Sequence, residues 1–285
     1  MDPTKTQPAD AANQYQQGPA LVAALLRRWS LKIGERLPGG SFSEVYDCVR
    51  GDGMRLVLKL PHADFDPTLE AAALRLWNGE GSVRVHAFDS VTGALLLDRI
   101  LPGTSLPSDD HETASKVAAK VMRKLHAVPV PSATFPTFDD AFEAFLGRAR
   151  RHADPAAAGL LLLDQARIAA RRLAAQASHS SLLHGDLIDK NLLLGTDGYV
   201  AIDPAPRIGD PCSDIGVFAS FRQPASVIAT LARATAMRLG LDPDRAAAWA
   251  AVWAIGEACE TWRADSDELQ RWVQTVAVDT LAKLR

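Results

Sequence analysis

The segment His184-Gly185-Asp186-Leu187-Ile188-Asp189-Lys190-Asn191, followed closely by Asp203, constrains this chain more than any other stretch. Between them, Leu192-Leu193-Leu194 and Val200-Ala201-Ile202 flank Gly195-Thr196-Asp197-Gly198-Tyr199. Two short apolar runs around a glycine-bearing turn read as a β-hairpin. A three-residue loop, Thr196-Asp197-Gly198, would put glycine where a positive φ is needed. In that register Leu194 faces Val200 and Asn191 faces Asp203, so a carboxamide and a carboxylate sit side by side where the hairpin opens. Both offer hard oxygen donors, which suit Mg²⁺ shared with phosphates. Asp186 lies on an irregular loop beside that mouth, placed to act on a hydroxyl. A carboxylate that orients and deprotonates a nucleophile, next to a metal that neutralises phosphate, is the division of labour that phosphoryl transfer needs. The bland alternative is a polar turn in which Asn191 and Asp203 are caps.

The region upstream supplies groups of matching chemistry. Lys59 lies in Arg55-Leu56-Val57-Leu58-Lys59-Leu60, a strand that reads as buried on both faces. A lysine there needs an anionic partner, and Glu70, early in a helix expected over residues 68–77, is the natural one. Gly39-Gly40-Ser41-Phe42-Ser43 is a Gly/Ser turn whose backbone N–H groups at Gly40, Ser41 and Ser43 could cover phosphates. It is not a Walker A motif, and a plain hairpin turn is an equal reading. Leu95-Leu96-Leu97-Asp98-Arg99-Ile100 ends at the break Pro102-Gly103, where adenine would meet backbone groups at Asp98 and Ile100.

Residues 1–18 are polar and Gln/Ala-rich and read as a flexible tail. A helix is expected over 19–29 and strands over 45–49, 55–60, 83–88 and 94–98. From residue 109 the spacing turns helical, over 112–126, 138–152, 156–177 and 225–285, interrupted by strand-like runs between 181 and 204 and by a break at 240–243. The expected organisation is a tail (1–18), a β-rich nucleotide-binding lobe (19–101) and a larger helical lobe (102–285) carrying the catalytic loop and acceptor site, an α+β arrangement.

The net charge of −3 over 285 residues gives no electrostatic footprint for nucleic acid. No apolar run is long enough to span a bilayer, and no signal-peptide pattern opens the chain. Three scattered cysteines imply no disulfide framework. A cytoplasmic, monomeric protein with a small-molecule partner is expected, with neither nucleic acid nor membrane.

The H-x-D-x-x-x-x-N spacing with a later Asp is shared with protein kinases, whereas His184-Gly185-Asp186 with Asp203-Pro204 resembles the aminoglycoside phosphotransferase and choline kinase superfamily. Further segments, among them Leu56-Val57-Leu58-Lys59-Leu60, Glu70-Ala71-Ala72-Ala73-Leu74-Arg75-Leu76-Trp77, Leu125-His126-Ala127-Val128-Pro129 and Gly209-Asp210-Pro211, resemble the streptomycin kinases of the aminoglycoside/hydroxyurea resistance kinase family. The resemblance implies a bilobal protein-kinase-like fold, with a small antiparallel sheet and one main helix ahead of a mostly helical lobe. It implies ATP (or GTP) and Mg²⁺ as cofactors and an antibiotic hydroxyl as acceptor, streptomycin first. By the same likeness Asp186 is the catalytic base, Asn191 and Asp203 hold metal, Lys59 with Glu70 orients the nucleotide, and Asp214 braces the catalytic loop, a helix N-cap being the other reading. Relatives often place His after the Asp-Leu of that loop, where this chain has Ile188, which leaves the acceptor open. A kinase for hydroxyurea or a metabolite, or a nucleotide-binding pseudokinase, are the competing readings.

A cationic acceptor calls for carboxylates. Glu257 and Glu260 share a helix face, Asp189 is on the catalytic loop, and Asp214 is counted with them as an acceptor-side candidate. Trp249, Trp253 and Trp262 read as core, His126 as structural, and His184 as orienting the loop.

Overall fold

A computed structural model describes residues 19–38, 42–62, 65–107, 109–130, 135–138, 140, 142–144, 147, 158–221 and 223–260. The tail expected over 1–18, most of the helix expected over 138–152, and residues 261–285 of the last helical block lie outside them.

Helix α1 (Pro19–Arg28) opens on proline, whose missing N–H matters least in a first turn. It lays Leu25 against a five-stranded antiparallel sheet of order β1-β2-β3-β5-β4. The strands are β1 (Leu31–Arg36), β2 (Ser43–Arg50), β3 (Arg55–Pro61), β4 (Val85–Phe88) and β5 (Leu95–Asp98). Alternation along β3 sorts its side chains. Leu56, Leu58 and Leu60 join Cys48, Leu96 and Leu25 in a cluster on the outer face, while Val57 turns inward to the main core. Strand β1 gave no periodic signal because it is an edge strand exposed at every position after Leu31. Arg28 pairs with Asp89 in the β4–β5 turn, and Asp89 also accepts from the Thr92 amide and hydroxyl, at 2.7 and 2.8 Å.

Helix α2 (Thr68–Trp77) connects this sheet to the rest of the molecule. Its Leu74 and Trp77 belong to a core cluster that continues through α3 (His111–Leu125), α4 (Ala158–Ala175), α5 (Pro211–Ser220), α6 (Ala225–Leu239) and α7 (Pro243–Glu260). The Trp77 indole N–H donates to the Leu125 carbonyl at 3.1 Å, and its ring stacks on His184 with centroids 6.1 Å apart. Helix α5 is buried along its whole length, and Gly216 is needed there because a Cβ would lie 2.8 Å from the Trp249 backbone. Trp249 and Trp253 pack edge-on against Phe138, as core residues. Cys48 and Cys212 are buried free thiols.

The expected last helical block divides where Gly240 takes φ 74° and ends α6, and Pro243 opens α7. Between the helices run β6 (Ser181–Leu183), β7 (Leu192–Gly195), β8 (Gly198–Ala201) and β9 (Arg207–Gly209), with β6 paired to β9 and β7 to β8. The β7–β8 hairpin is flanked on both sides. The Val83 amide donates to Ala201 and the Ala201 amide to Gly81, while Leu106 and Gly103 donate to Leu192 and Leu194. Segments that lead out of α2 and out of β5 thus extend the hairpin into a short four-stranded patch.

Trp77→Ala removes the largest side chain at this junction together with a buried hydrogen bond. Urea denaturation is expected to show a loss of about 3–5 kcal/mol, and a loss below 1 kcal/mol would show that the junction does not depend on it.

Candidate active site

Strand β7 pairs with β8 through Leu193↔Val200, Leu194↔Tyr199 and Gly195↔Gly198, so the loop is the two residues Thr196-Asp197. The three-residue loop expected from the sequence is therefore corrected by one position. Gly198, with φ 114°, supplies the unusual backbone at the first strand residue instead of within the loop. In the true register Ile202, not Asp203, lies opposite Asn191, and the Ile202 amide donates to the Asn191 carbonyl at 2.9 Å. Asp203 comes one residue later in the left-handed region, at φ 58°. Asp tolerates that backbone better than most residues, and the turn breaks the strand alternation, bringing the carboxylate to Lys59.

Lys59 is the centre of a buried ionic group. Its ammonium donates to Glu70 Oε1 at 2.6 Å and to Asp203 Oδ1 at 2.9 Å. Burial alone would pull the Lys59 pKa down. The charges of Asp203 and Glu70, with their hydrogen bonds, reverse this and hold the ammonium above the ordinary lysine value. The second Glu70 oxygen is buried and meets no hydrogen-bond donor among the described residues.

Asp186 lies across the hairpin mouth, fully buried, and its Oδ2 accepts from the Asn191 side-chain amide at 3.0 Å. The same amide donates to the Asp186 carbonyl at 2.8 Å. With its nitrogen committed to Asp186, the Asn191 side chain turns its oxygen the other way. The Asn191 amide oxygen and the Asp203 carboxylate, 27% exposed, are hard oxygen donors of the kind Mg²⁺ takes. Among the described residues no group of three or more His, Cys, Asp or Glu side chains converges as a metal site.

The loop that carries Asp186 is held by its backbone. Buried Asp214 accepts from the His184 amide at 2.8 Å and the Gly185 amide at 2.9 Å, and its Oδ2 is 2.9 Å from His126 Nε2. Burial would raise the Asp214 carboxyl, but the His126 hydrogen bond and charge and the Gly185 amide hold it below the usual carboxylate range. Grouping Asp214 with the acceptor-side carboxylates is thus corrected: it is 1% exposed and its oxygens serve the loop. Nor is it the helix cap, since Asp210 caps α5 and accepts from the Cys212 amide at 3.0 Å.

Arg207, which the sequence did not single out, donates to the Gly185 carbonyl at 2.8 Å and lies 5.6 Å over the Trp253 ring. Gly185 takes φ 76°, and a Cβ there would fall 2.0 Å from the Ala205 carbonyl oxygen. His184 sets the other side of the loop. Its Nε2 is 3.1 Å from the Ile202 carbonyl, and the Asp186 amide meets Nδ1 at 3.3 Å. A carbonyl only accepts and an amide only donates, so these two contacts call for the Nε2–H tautomer.

The remaining candidates are scattered. Gly40 and Ser41 lie outside the described residues. Ser43 is buried at the start of β2, opposite Pro61. Asp98 ends β5, donates its amide to Arg84 at 3.1 Å and receives His86 Nε2 at 2.5 Å, with Ile100 two residues beyond. Asp189 opens a short 3₁₀ turn and caps the Lys190 amide at 2.7 Å. Glu257 is half-buried on α7, and the Glu260 side chain lies outside the described ones. Ile188 is buried at 1% exposure.

A family profile described as aminoglycoside/hydroxyurea antibiotic resistance kinase matches residues 28–266. The chain belongs to that family. It is similar to the hydroxyurea phosphotransferase of Kitasatospora aureofaciens, with 31% identity over an alignment of 287 residues, 94% of this chain and 80% of the relative. It is similar also to the streptomycin 6-kinase of Streptomyces glaucescens, with 33% identity over 245 residues, 81% of this chain and 78% of the relative. Among solved structures, a thermostable mutant of the aminoglycoside phosphotransferase APH(4)-Ia, in a ternary complex with AMP-PNP and hygromycin B, superimposes with a TM-score of 0.61. That match has 14% identity and covers 91% of this chain and 97% of that one. The fold is the kinase-like α+β fold.

The buried Asp214 brace makes stability depend on pH. Its folded pKa lies below that of the unfolded chain, so its contribution is complete above the unfolded value of about 3.9 and is lost as pH falls through the folded one. Asp214→Asn should cost about 3 kcal/mol at pH 7. The gap between variant and parent in thermal melting should narrow as pH falls below about 4. A gap independent of pH would mean that the charge of Asp214 does not matter.

Proposed function

We propose that this chain is an ATP-dependent O-phosphotransferase that phosphorylates a hydroxyl of an aminoglycoside antibiotic, with streptomycin as the leading acceptor. The observation that carries the proposal is the convergence of two sets of groups at one hairpin mouth. One is the Asp186–Asn191 pair; the other is Lys59 with Glu70 and Asp203.

In this reading Lys59, kept cationic by its two carboxylates, holds the α/β-phosphates. Asn191 and Asp203 hold Mg²⁺, which when bound would neutralise phosphate charge. Asp186, its direction fixed by Asn191, accepts the proton of the acceptor hydroxyl as that oxygen approaches phosphorus. The Gly40–Ser43 turn covers the phosphates, and the base lies at Asp98 and Ile100. GTP would fit the same outline. The lobes are taken as 19–101 and 102–285, and the protein as a cytoplasmic monomer. No helix among the described residues is long and apolar enough to cross a membrane.

Hydroxyurea is the second acceptor reading, favoured by the relative of that name, whose alignment spans 94% of this chain. Ile188, next to Asp186-Leu187 in the catalytic loop, is buried.

Mass spectrometry of the purified protein incubated with MgATP and either compound tests the proposal. One added phosphate on streptomycin supports the first acceptor, and one on hydroxyurea alone supports the second. Asp186→Asn should cut turnover by about 10²–10⁴-fold while nucleotide affinity stays within about twofold. Undiminished turnover would remove Asp186 from the chemistry.

A further inference from the structure

The sheet register assigns Asp47 to the same face as Lys59. On β3 the pairing is Asp47↔Val57 and Val45↔Lys59, and cross-strand partners project to one side of a sheet. Val57 also pairs with Leu97, and both belong to the core beneath the sheet, whereas Cys48, Leu56 and Leu58 belong to the cluster under α1. Asp47 therefore lies on the cleft face, one inward-facing row from Lys59 and toward the end of β5.

There its carboxylate is shared by two arginines from different elements. Oδ2 accepts from Arg55 Nη2 at 2.8 Å, and Oδ1 accepts from Arg99 Nε at 3.0 Å. Arg55 belongs to the neighbouring strand and is half exposed, as in an ordinary diagonal charge pair. Arg99 does not belong to the sheet. It follows β5, in the connection to the helical half, and the pair it makes with Asp47 is largely buried, with side chains 21% and 14% exposed. The Arg99 guanidinium also leans over its own connection, with Nη1 3.4 Å from the Ile100 carbonyl. That connection is tight: Gly103 takes φ 75°, and a Cβ there would come within 2.7 Å of the same carbonyl oxygen.

We propose that Asp47 and Arg99 form a strut between the roof of the nucleotide cleft and the connection at its back, fixing the height of the slot that receives the purine base. Asp47 and Arg99 are positioning residues, acting through the spacing of the slot and not on the phosphates. This rests on the reading of Lys59 as the phosphate-holding end of a nucleotide site. With the phosphates at Lys59, a base extended toward Ile100 passes beneath the Asp47 row. A sheet free to tilt away from residues 99–100 would lose contact with the base while leaving the Lys59–Glu70–Asp203 group intact.

The test uses the full-length protein and two probes, Mg·AMP-PNP and magnesium tripolyphosphate, by isothermal titration. Asp47→Asn and Arg99→Met should each weaken AMP-PNP about tenfold, the double variant no more than either alone. Tripolyphosphate, which has no base, should bind all of them as it binds the parent. Arg55→Met, which removes the bond within the sheet, should leave AMP-PNP affinity within about twofold, and Asp47→Glu should restore part of what Asp47→Asn loses. Equal losses for both probes would mean a general disturbance of the sheet and would overturn the strut, as would unchanged AMP-PNP affinity in Asp47→Asn. A parent protein that binds neither probe would bring down the kinase reading of the site itself.

Discussion

One ammonium group, that of Lys59, is buried in the cleft wall, and the site is arranged around keeping it charged. Taking an ammonium out of water costs several kcal/mol. The compensation comes from two directions, Glu70 on α2 and Asp203 beyond β8. The triad therefore ties a strand, a helix and the hairpin into one register. Well-packed apolar side chains at such positions are often as stabilising as an ion pair, so stability alone does not account for the arrangement. Asp203 is the more exposed of the two carboxylates.

The catalytic loop is fixed by a different principle. Asp214, Arg207 and His184 reach it through peptide groups: the amides of His184 and Gly185, the carbonyl of Gly185 and the amide of Asp186. The side chain of Asp186 accepts from Asn191 instead. The charge that braces the loop and the charge that would do chemistry are therefore carried by separate carboxylates, held in environments that push them toward separate duties.

Much of this was legible in the sequence, for identifiable reasons. Lys59 in an otherwise apolar strand can only survive burial with an anion, which points to Glu70; the hairpin announces itself by two apolar runs and glycines. The register did not follow, because Gly195 and Gly198 permit loops of two or three residues, and only packing chooses between them. Strand β1 was illegible because it is exposed along nearly all its length. Arg207 and His126 were not read as site residues because their partners are distant in sequence, and nothing local distinguishes a buried arginine from a surface one. One available signal is Gly209-Asp210-Pro211, which marks a helix start and so places Asp214 on the first turn of α5, but local spacing alone does not choose between a brace, a cap and an acceptor contact.

The flanking of the hairpin decides how such a cleft can move. Segments 81–83 and 103–106 both hydrogen-bond to it, one leaving α2 and the other following β5. Any rotation of the five-stranded sheet relative to the helices must pivot near these two lines, with the hairpin between them. In such a rotation Asn191 and Asp203, at the open end of the hairpin, would move least, and groups farther out on the sheet would sweep through larger arcs. Ser43 begins β2, and Asp47 lies farther along the same strand, next to Arg99. The Asp47–Arg99 contact is placed to hold during such a rotation, because a short contact close to a hinge line tolerates rotation that would break a longer one. A charged centre beside the axis and an ion pair a short way out along the sheet form a consistent mechanical order for two halves that rotate about that line without dismantling the charged centre.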